Sequence, residues 1–170
     1  MPGVNSQDIT LQLAARSEAQ AIAAMSRDLI ECGLGWEYRP ERIRALIADC
    51  NAVTLVARDR DRITGFAIMS FGAEHAHLVL MAVRPASRRQ GVARRMTQWL
   101  IESAVVAGVA SIHLELREQN EDAFAFYRAL GFSETLRLPG YYRGREPAVR
   151  MIRILRVPNL VAPTWQPPPR

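Results

Sequence analysis

The chain has 170 residues, 49% hydrophobic and 23% charged, a balance that suits a globular protein with one sizeable core. No apolar run reaches the ~18 residues of a membrane-spanning helix, and the start "MPGVNSQD" lacks the basic-then-apolar order of a signal peptide, so a cytoplasmic location with no membrane partner is expected. The net charge is +5 and all 22 basic residues are arginine, which excludes lysine Schiff-base chemistry and favours anionic ligands.

The arginines are scattered and carry no basic-aromatic motif, so nucleic acid is not an expected partner. Cys32 and Cys50 have no metal-ligand spacing and no His or Cys cluster beside them; reduced thiols and no metal are expected.

Residues 9–14, "ITLQLA", alternate apolar and polar and predict a first strand. Ser17 is placed to cap the next helix, with Glu18 in its first turn. Ile22, Met25 and Leu29 then recur at helical spacing until Gly33 and Gly35 break the pattern. Pro40 opens a second helix to about Asp49, with Ile43, Leu46 and Ile47 on one face. "VTLVARD" (53–59) and "ITGFAIMSF" (63–71) are β-rich runs joined by a short polar turn, a hairpin.

"HAHLVLMAVRP" (75–85) is a third long strand, ended by Pro85. Its alternation puts His77 on the same side as Val79, Met81 and Val83. A long helix is expected from about Gln90 to Ala107, with Met96, Leu100 and Ala104 inward and Gly108 closing it. "SIHLEL" (111–116) is a strand; Asn120 caps the helix "EDAFAFYRAL", and Gly131 ends it. "FSETLRL" and "AVRMIRILRV" are closing strands separated by the loop "PGYYRGREP". The order β-α-α-β-β-β-α-β-α-β-β predicts a mixed α/β layout around one twisted sheet, a single domain over residues 1–157. The proline-rich tail 158–170 is expected to be extended or disordered unless Trp165 docks.

One stretch combines arginines with a glycine between two apolar elements: "VRPASRRQGVARR" (83–95). Backbone N–H groups at a helix start are free to bind an anion, and Gly91 with the small Ala93 lets a ligand come close. The amides from Arg89 to Arg94 then form a pyrophosphate cradle; a charged, solvated helix start fits the same residues.

On the strand that follows, Leu114 and Leu116 face one way and His113, Glu115 and Arg117 the other. Glu is depleted in strands. Glu115 is either a solvated carboxylate paired with Arg117 or a neighbour, or a general base. Asn120 and Tyr127 lie two helical turns apart on one face. Asn120 is an N-cap whose amide can also reach a ligand, and Tyr127, on a stripe with Ala123 and Leu130, reads as packing or as a proton donor. Trp36 and Tyr38 either cover the core or line an acceptor pocket. His75 and His77 are either structural or alternative bases.

These blocks carry a resemblance. "VRPASRRQGVA" resembles the cofactor motif of the GNAT N-acetyltransferase superfamily, with Arg88, Gly91 and Ala93 at its fixed positions. "LELREQNEDAFAFYRALGF" (114–132) resembles the second motif of that superfamily. With "LPGYYRGREPAVRMIRI" after it, the chain is most similar to ribosomal-protein alanine and other protein N-terminal acetyltransferases.

The resemblance implies a mixed, mostly antiparallel twisted sheet with splayed central strands, flanked by about four helices. It implies acetyl-coenzyme A as acetyl donor, held by the strand end Met81, Ala82 and Val83, by the loop Arg88, Arg89, Gln90, Gly91, Val92, Ala93 and Arg94, and by Asn120. It further implies Glu115 as general base, Tyr127 as general acid, and Tyr141 and Tyr142 at the entry for a peptide N-terminus. "CGLGWEYRPERI" departs from the usual acceptor loop, so the acceptor amine stays open between a protein or peptide N-terminus and a small amine such as a polyamine, amino acid or aminoglycoside. A non-catalytic acyl-coenzyme A-binding module is the reading from another class, and either a monomer or a homodimer is expected.

Overall fold

A computed structural model describes residues 9–156; the tail 158–170, with Trp165, lies outside the described residues. The alternating runs form strands β1 (Ile9–Leu13), β2 (Ala52–Asp59), β3 (Arg62–Phe71), β4 (His75–Val83), β5 (Ser111–Arg117), β6 (Ser133–Tyr142) and β7 (Glu146–Ile154). The helical runs form α1 (Ala19–Leu29), α2 (Pro40–Ala48), α3 (Val92–Ala107) and α4 (Glu121–Ala129). The strands make one seven-stranded sheet in the order β1-β2-β3-β4-β5-β7-β6. Every neighbouring pair is antiparallel except β4 and β5.

Each face of the sheet has its own core. Met96, Leu100 and Ala104 of α3, Tyr127 of α4 and Leu130 just after it pack against one face with Leu114 and Leu116. Ile22 and Met25 of α1 and Ile43 of α2 pack against the other with Val56, Phe66 and Ile68. Each such fully buried side chain contributes on the order of 1.5–3 kcal/mol.

β4 and β5 hold the sheet together and also open it. They pair only from His75↔Ser111 to His77↔His113. Just beyond that point β4 carries a bulge: Leu78 faces Met69 and Leu80 faces Ile68, so Val79 is an extra residue. The bulge inverts the alternation. Ala76 and Leu78 pack with α3 and α4, whereas Leu80 and Ala82 pack with α1 and α2. The expected parity is therefore corrected: His77 lies on the α1/α2 face and Met81 and Val83 on the other.

Two local expectations also change. Ser17 caps nothing: residues Arg16–Glu18 form a short 3-10 turn with no side-chain bond from the residue before it. Glu18 reaches back instead, its Oε2 accepting the Ala15 N–H at 2.6 Å, and pairs with Arg58. The long loop "PGYYRGREP" is mostly strand. β6 runs through Pro139 to Tyr142 with a register slip against β7 between Leu138 and Tyr142. The connecting turn shrinks to residues 143–145, and Tyr141 and Tyr142 are held on a strand.

Candidate active site

Past His77, the β5-facing edge of β4 has no strand partner among the described residues. Alternate N–H and C=O groups along residues 78–83 therefore point into an open cleft. Three adjoining cavities occupy it.

The first, 570 Å³, opens between the end of β4 and the start of α3; residues 81–83, 88, 89, 91–94 and Asn120 line it. Gly91 sits at φ 77, a left-handed N-cap that turns the chain sharply into α3. The first backbone bond of α3 runs from the Arg95 N–H to Gly91 O at 3.0 Å. The amides of Val92, Ala93 and Arg94 precede it and take no backbone partner among the described residues, so they face the cavity at the positive end of a 16-residue helix.

A side chain at Gly91 would meet nothing within 4 Å, so the space before this turn is open. Arg89, at φ 62, is also left-handed, and such backbone reversals gather N–H groups into anion-binding hollows. The guanidinium of Arg88 bonds Val83 O at 3.1 Å and pins the loop to the strand end. Gln90 lies outside the lining; its Nε2 donates to Ala86 O at 3.2 Å.

The second cavity, 490 Å³, is central. It shares Met81, Asn120 and Ala123 with the first and reaches Leu80, Cys32, Glu115, Tyr127 and Tyr142. Asn120 accepts the Ala123 N–H at 3.1 Å, the cap that starts α4. That start sets Tyr127 on the buried face of α4, where its ring meets Phe126 and Phe132 edge-on, with centroids 5.1 and 5.5 Å away. No hydrogen bond among the described residues reaches the Tyr127 hydroxyl. Burial pushes its pKa far up, so the phenol stays protonated.

Glu115 approaches from the other face of the sheet. Its side chain is only 8% exposed, and both oxygens are engaged. Oε1 accepts from Arg150 Nε at 2.8 Å, across the Glu115↔Arg150 register pair, and Oε2 lies 2.5 Å from His77 Nε2. Burial acts most strongly and raises the carboxyl's pKa. The hydrogen bonds and charges of His77 and Arg150 together outweigh it and hold the group below its ordinary value. The carboxylate is thus paired with a cross-strand neighbour, and not with Arg117 or solvent. Arg117 instead donates to Ile30 O at 2.9 Å and Cys32 O at 2.7 Å, tying the α1–α2 loop to β5.

The third cavity, 420 Å³, adjoins the second through Leu80, Glu115 and Tyr142 and opens between the α1–α2 loop and the β6–β7 turn. Tyr38, Tyr141, Tyr142 and His77 line it. Burial pushes the Tyr142 phenol up to about 12. The loop is shaped by Glu31, a buried carboxylate that accepts from Ser26 Oγ at 2.9 Å and from the Tyr38 N–H at 3.2 Å. Trp36 lines none of the three cavities. Its Nε1 donates to Tyr38 O at 3.1 Å, and Arg27 and Arg39 stack over its ring.

Sequence reasoning missed Arg150, because only strand register reveals that it faces Glu115. It also missed Cys32 at the central cavity, since nothing in "ECGLG" shows which way the loop folds. No group of His, Cys, Asp and Glu suited to a metal occurs among the described residues, and none of their helices is long and apolar enough to cross a membrane.

This arrangement has a helix start that can hold an anion, a proton donor and a carboxylate meeting in one cavity, and an aromatic antechamber. Residues 22–132 match the Acetyltransferase (GNAT) family.

The chain belongs to the GNAT acetyltransferase family.

A [ribosomal protein bS18]-alanine N-acetyltransferase of Salmonella typhimurium is 36% identical over 94 residues, 54% of this chain. The matched part spans 64% of that relative's length. N-alpha-acetyltransferase 30 of Schizosaccharomyces pombe is 30% identical over 129 residues, 73% of this chain and 86% of the relative. The crystal structure of the ribosomal-protein-S18-alanine N-acetyltransferase from Escherichia coli superposes with a TM-score of 0.78 at 24% identity, over 90% of this chain and 97% of that one. The mostly antiparallel sheet with parted central strands and four helices is thus the GNAT fold.

Proposed function

We propose that this GNAT protein transfers the acetyl group of acetyl-coenzyme A to the N-terminal amine of a protein or peptide. The observation that carries the reading is the central cavity, which Glu115 and Tyr127 reach from opposite faces of the sheet. It borders the anion groove on one side and the tyrosine-lined cavity on the other. Acetyl-coenzyme A supplies an acyl group already activated as a thioester, with a pyrophosphate suited to the amides of Val92, Ala93 and Arg94 and an arm suited to the unpaired edge of β4.

The side chains divide the proton work. Glu115, held ionised, takes a proton from the acceptor ammonium, directly or through water, so that a neutral amine attacks. A main-chain N–H on the β4 edge steadies the carbonyl oxygen. Tyr127, held protonated, gives its proton to the departing sulfur. Held in their cavities, donor and acceptor react without an acetylated enzyme.

The acceptor side supports a single α-amine over a polycation. A polyamine needs free carboxylates, but Glu31 is taken by backbone N–H groups, Glu37 by Arg42 and Glu115 by Arg150. The test is a screen of free and blocked peptides against polyamines, amino acids and aminoglycosides, followed by thiol release and mass spectrometry. Acetylation at free peptide N-termini is expected; turnover of small amines alone overturns the acceptor assignment. An acetylated Cys32 after incubation without acceptor overturns direct attack.

A further inference from the structure

The tyrosine cavity is lined by the carboxylates Glu31, Glu37 and Glu115 and by the guanidiniums Arg42 and Arg143. All but one of these charges are engaged. Glu31 accepts the Glu37 N–H at 2.5 Å and the Ser26 hydroxyl at 2.9 Å. Glu37 pairs with Arg42 at 2.6 Å, and Glu115 with Arg150 at 2.8 Å. Arg143 has neither a hydrogen bond nor a carboxylate partner among the described residues.

Its position is nonetheless set by the fold. Arg143 follows the last residue of β6 and sits at φ 51, a left-handed state that strains any residue with a side chain. Gly140 and Gly144 shape the turn around it. The Gly144 N–H donates to Gly140 O at 2.8 Å, and a Cβ on Gly140 would meet Gly144 Cα at 3.3 Å. The turn carries the Arg143 side chain to the α1–α2 loop. There a Cβ on Gly35 would lie 3.0 Å from Arg143 Cζ, so the guanidinium rests against the Gly35 backbone and spans the two segments that frame the cavity.

We propose that Arg143 selects the acceptor, binding the carboxylate of an Asp or Glu side chain at the second or third residue of the acceptor peptide. The inference rests on the peptide-acetylation reading above and names the class of peptide. A guanidinium stays charged at any working pH, and its planar fork fits a carboxylate bidentately. Glu115 is shared with the central cavity, where the amine reacts, whereas Arg143 is exposed and lines the tyrosine cavity alone of the three. A peptide with its first nitrogen at Glu115 therefore brings its next residues past Tyr141 and Tyr142 to Arg143. A basic residue there would meet an unpaired like charge.

The test compares kcat/KM on peptides that share an N-terminal alanine, a downstream sequence and a blocked C-terminus, with Asp, Asn or Arg at residue 2 or 3. The wild-type protein should favour Asp over Asn about 3–10-fold at one of these positions, as a partly exposed charge-assisted pair allows. The gain should come chiefly through KM and shrink as ionic strength rises. Arg143→Gln should bring the Asp-to-Asn ratio to about 1, and Arg143→Glu should rank the Arg peptide first. Arg145→Gln removes the same charge from the same turn but outside the cavity lining, and should keep the wild-type ratio. Equal wild-type rates on the Asp and Asn peptides overturn the assignment. So does a preference that survives Arg143→Gln, or one lost equally in Arg145→Gln. Arg143-dependent turnover of free alanine alone, whose own α-carboxylate is then the ligand, overturns it as well. A wild-type protein that acetylates no peptide overturns the peptide-acetylation reading itself, and this inference with it.

Discussion

Gly91 and Gly108 flank α3 in the same backbone state, and this makes a controlled test of the anion cradle. Both have φ 77, and a Cβ at either would meet nothing within 4 Å. Alanine in a left-handed conformation costs about 1–2 kcal/mol, offset by ~0.4–1 kcal/mol from a stiffer unfolded chain. Each Gly→Ala variant should therefore lose about 1 kcal/mol, or roughly 2–4 °C in Tm for a chain of this size. Binding should separate them. At Gly91 the new methyl enters the space before the α3 amides, where the pyrophosphate is to sit. One displaced charge-assisted hydrogen bond is worth about 1.5–3 kcal/mol, or about 10–100-fold in Kd. Gly108 is at the far end of the helix, so Gly108→Ala should keep the wild-type Kd. Thermal melts and calorimetric titration with acetyl-coenzyme A read both quantities. Equal Kd values for the two variants would refute the cradle.

Tyr127→Phe should retain cofactor binding and nearly full stability, because the edge-on contacts with Phe126 and Phe132 survive, while kcat drops on the order of 10²-fold. With the phenol's pKa pushed far up, wild-type activity should show no loss from its ionisation up to about pH 9. Glu115→Gln should slow turnover most at low pH, where the acceptor is protonated. The variant also has a stability signature. The carboxyl lies below its ordinary value of 4.5, so its ionisation stabilises the fold above that pH, and this contribution is lost as pH falls through the lowered value. The Tm difference between neutral and acid pH should therefore shrink in Glu115→Gln, and an unchanged difference would contradict the pairing with Arg150 and His77.

The parts of this molecule that punctuation marks could be read from sequence. Gly91, Gly108 and Asn120 bound α3 and α4 because each residue type does one local job at a helix end. The glycine turn before α3 and the facing of Glu115 followed from the same local rules. What stayed hidden depends on neighbours distant in sequence. Nothing in "HLVLM" marks Val79 as a bulge, since β-branched and leucine side chains suit a regular strand equally well, yet this one residue moves His77 to the face of Glu115. Arg150 became a partner of Glu115 only through the β5–β7 register. Trp36 is aromatic and near the site in sequence, but its indole N–H bonds Tyr38 O and its ring stacks under two arginines, away from the cavities.

The central claim is that donor and acceptor meet between Glu115 and Tyr127 from opposite faces of one parted sheet. A crystal structure with a coenzyme A–peptide conjugate tests it most directly. The account predicts pyrophosphate on the amides of Val92, Ala93 and Arg94, sulfur within hydrogen-bond reach of the Tyr127 hydroxyl, and the peptide nitrogen on the Glu115 side among Tyr38, Tyr141 and Tyr142. A conjugate whose sulfur lies away from Tyr127, or whose peptide leaves the cleft without passing Glu115, would contradict it.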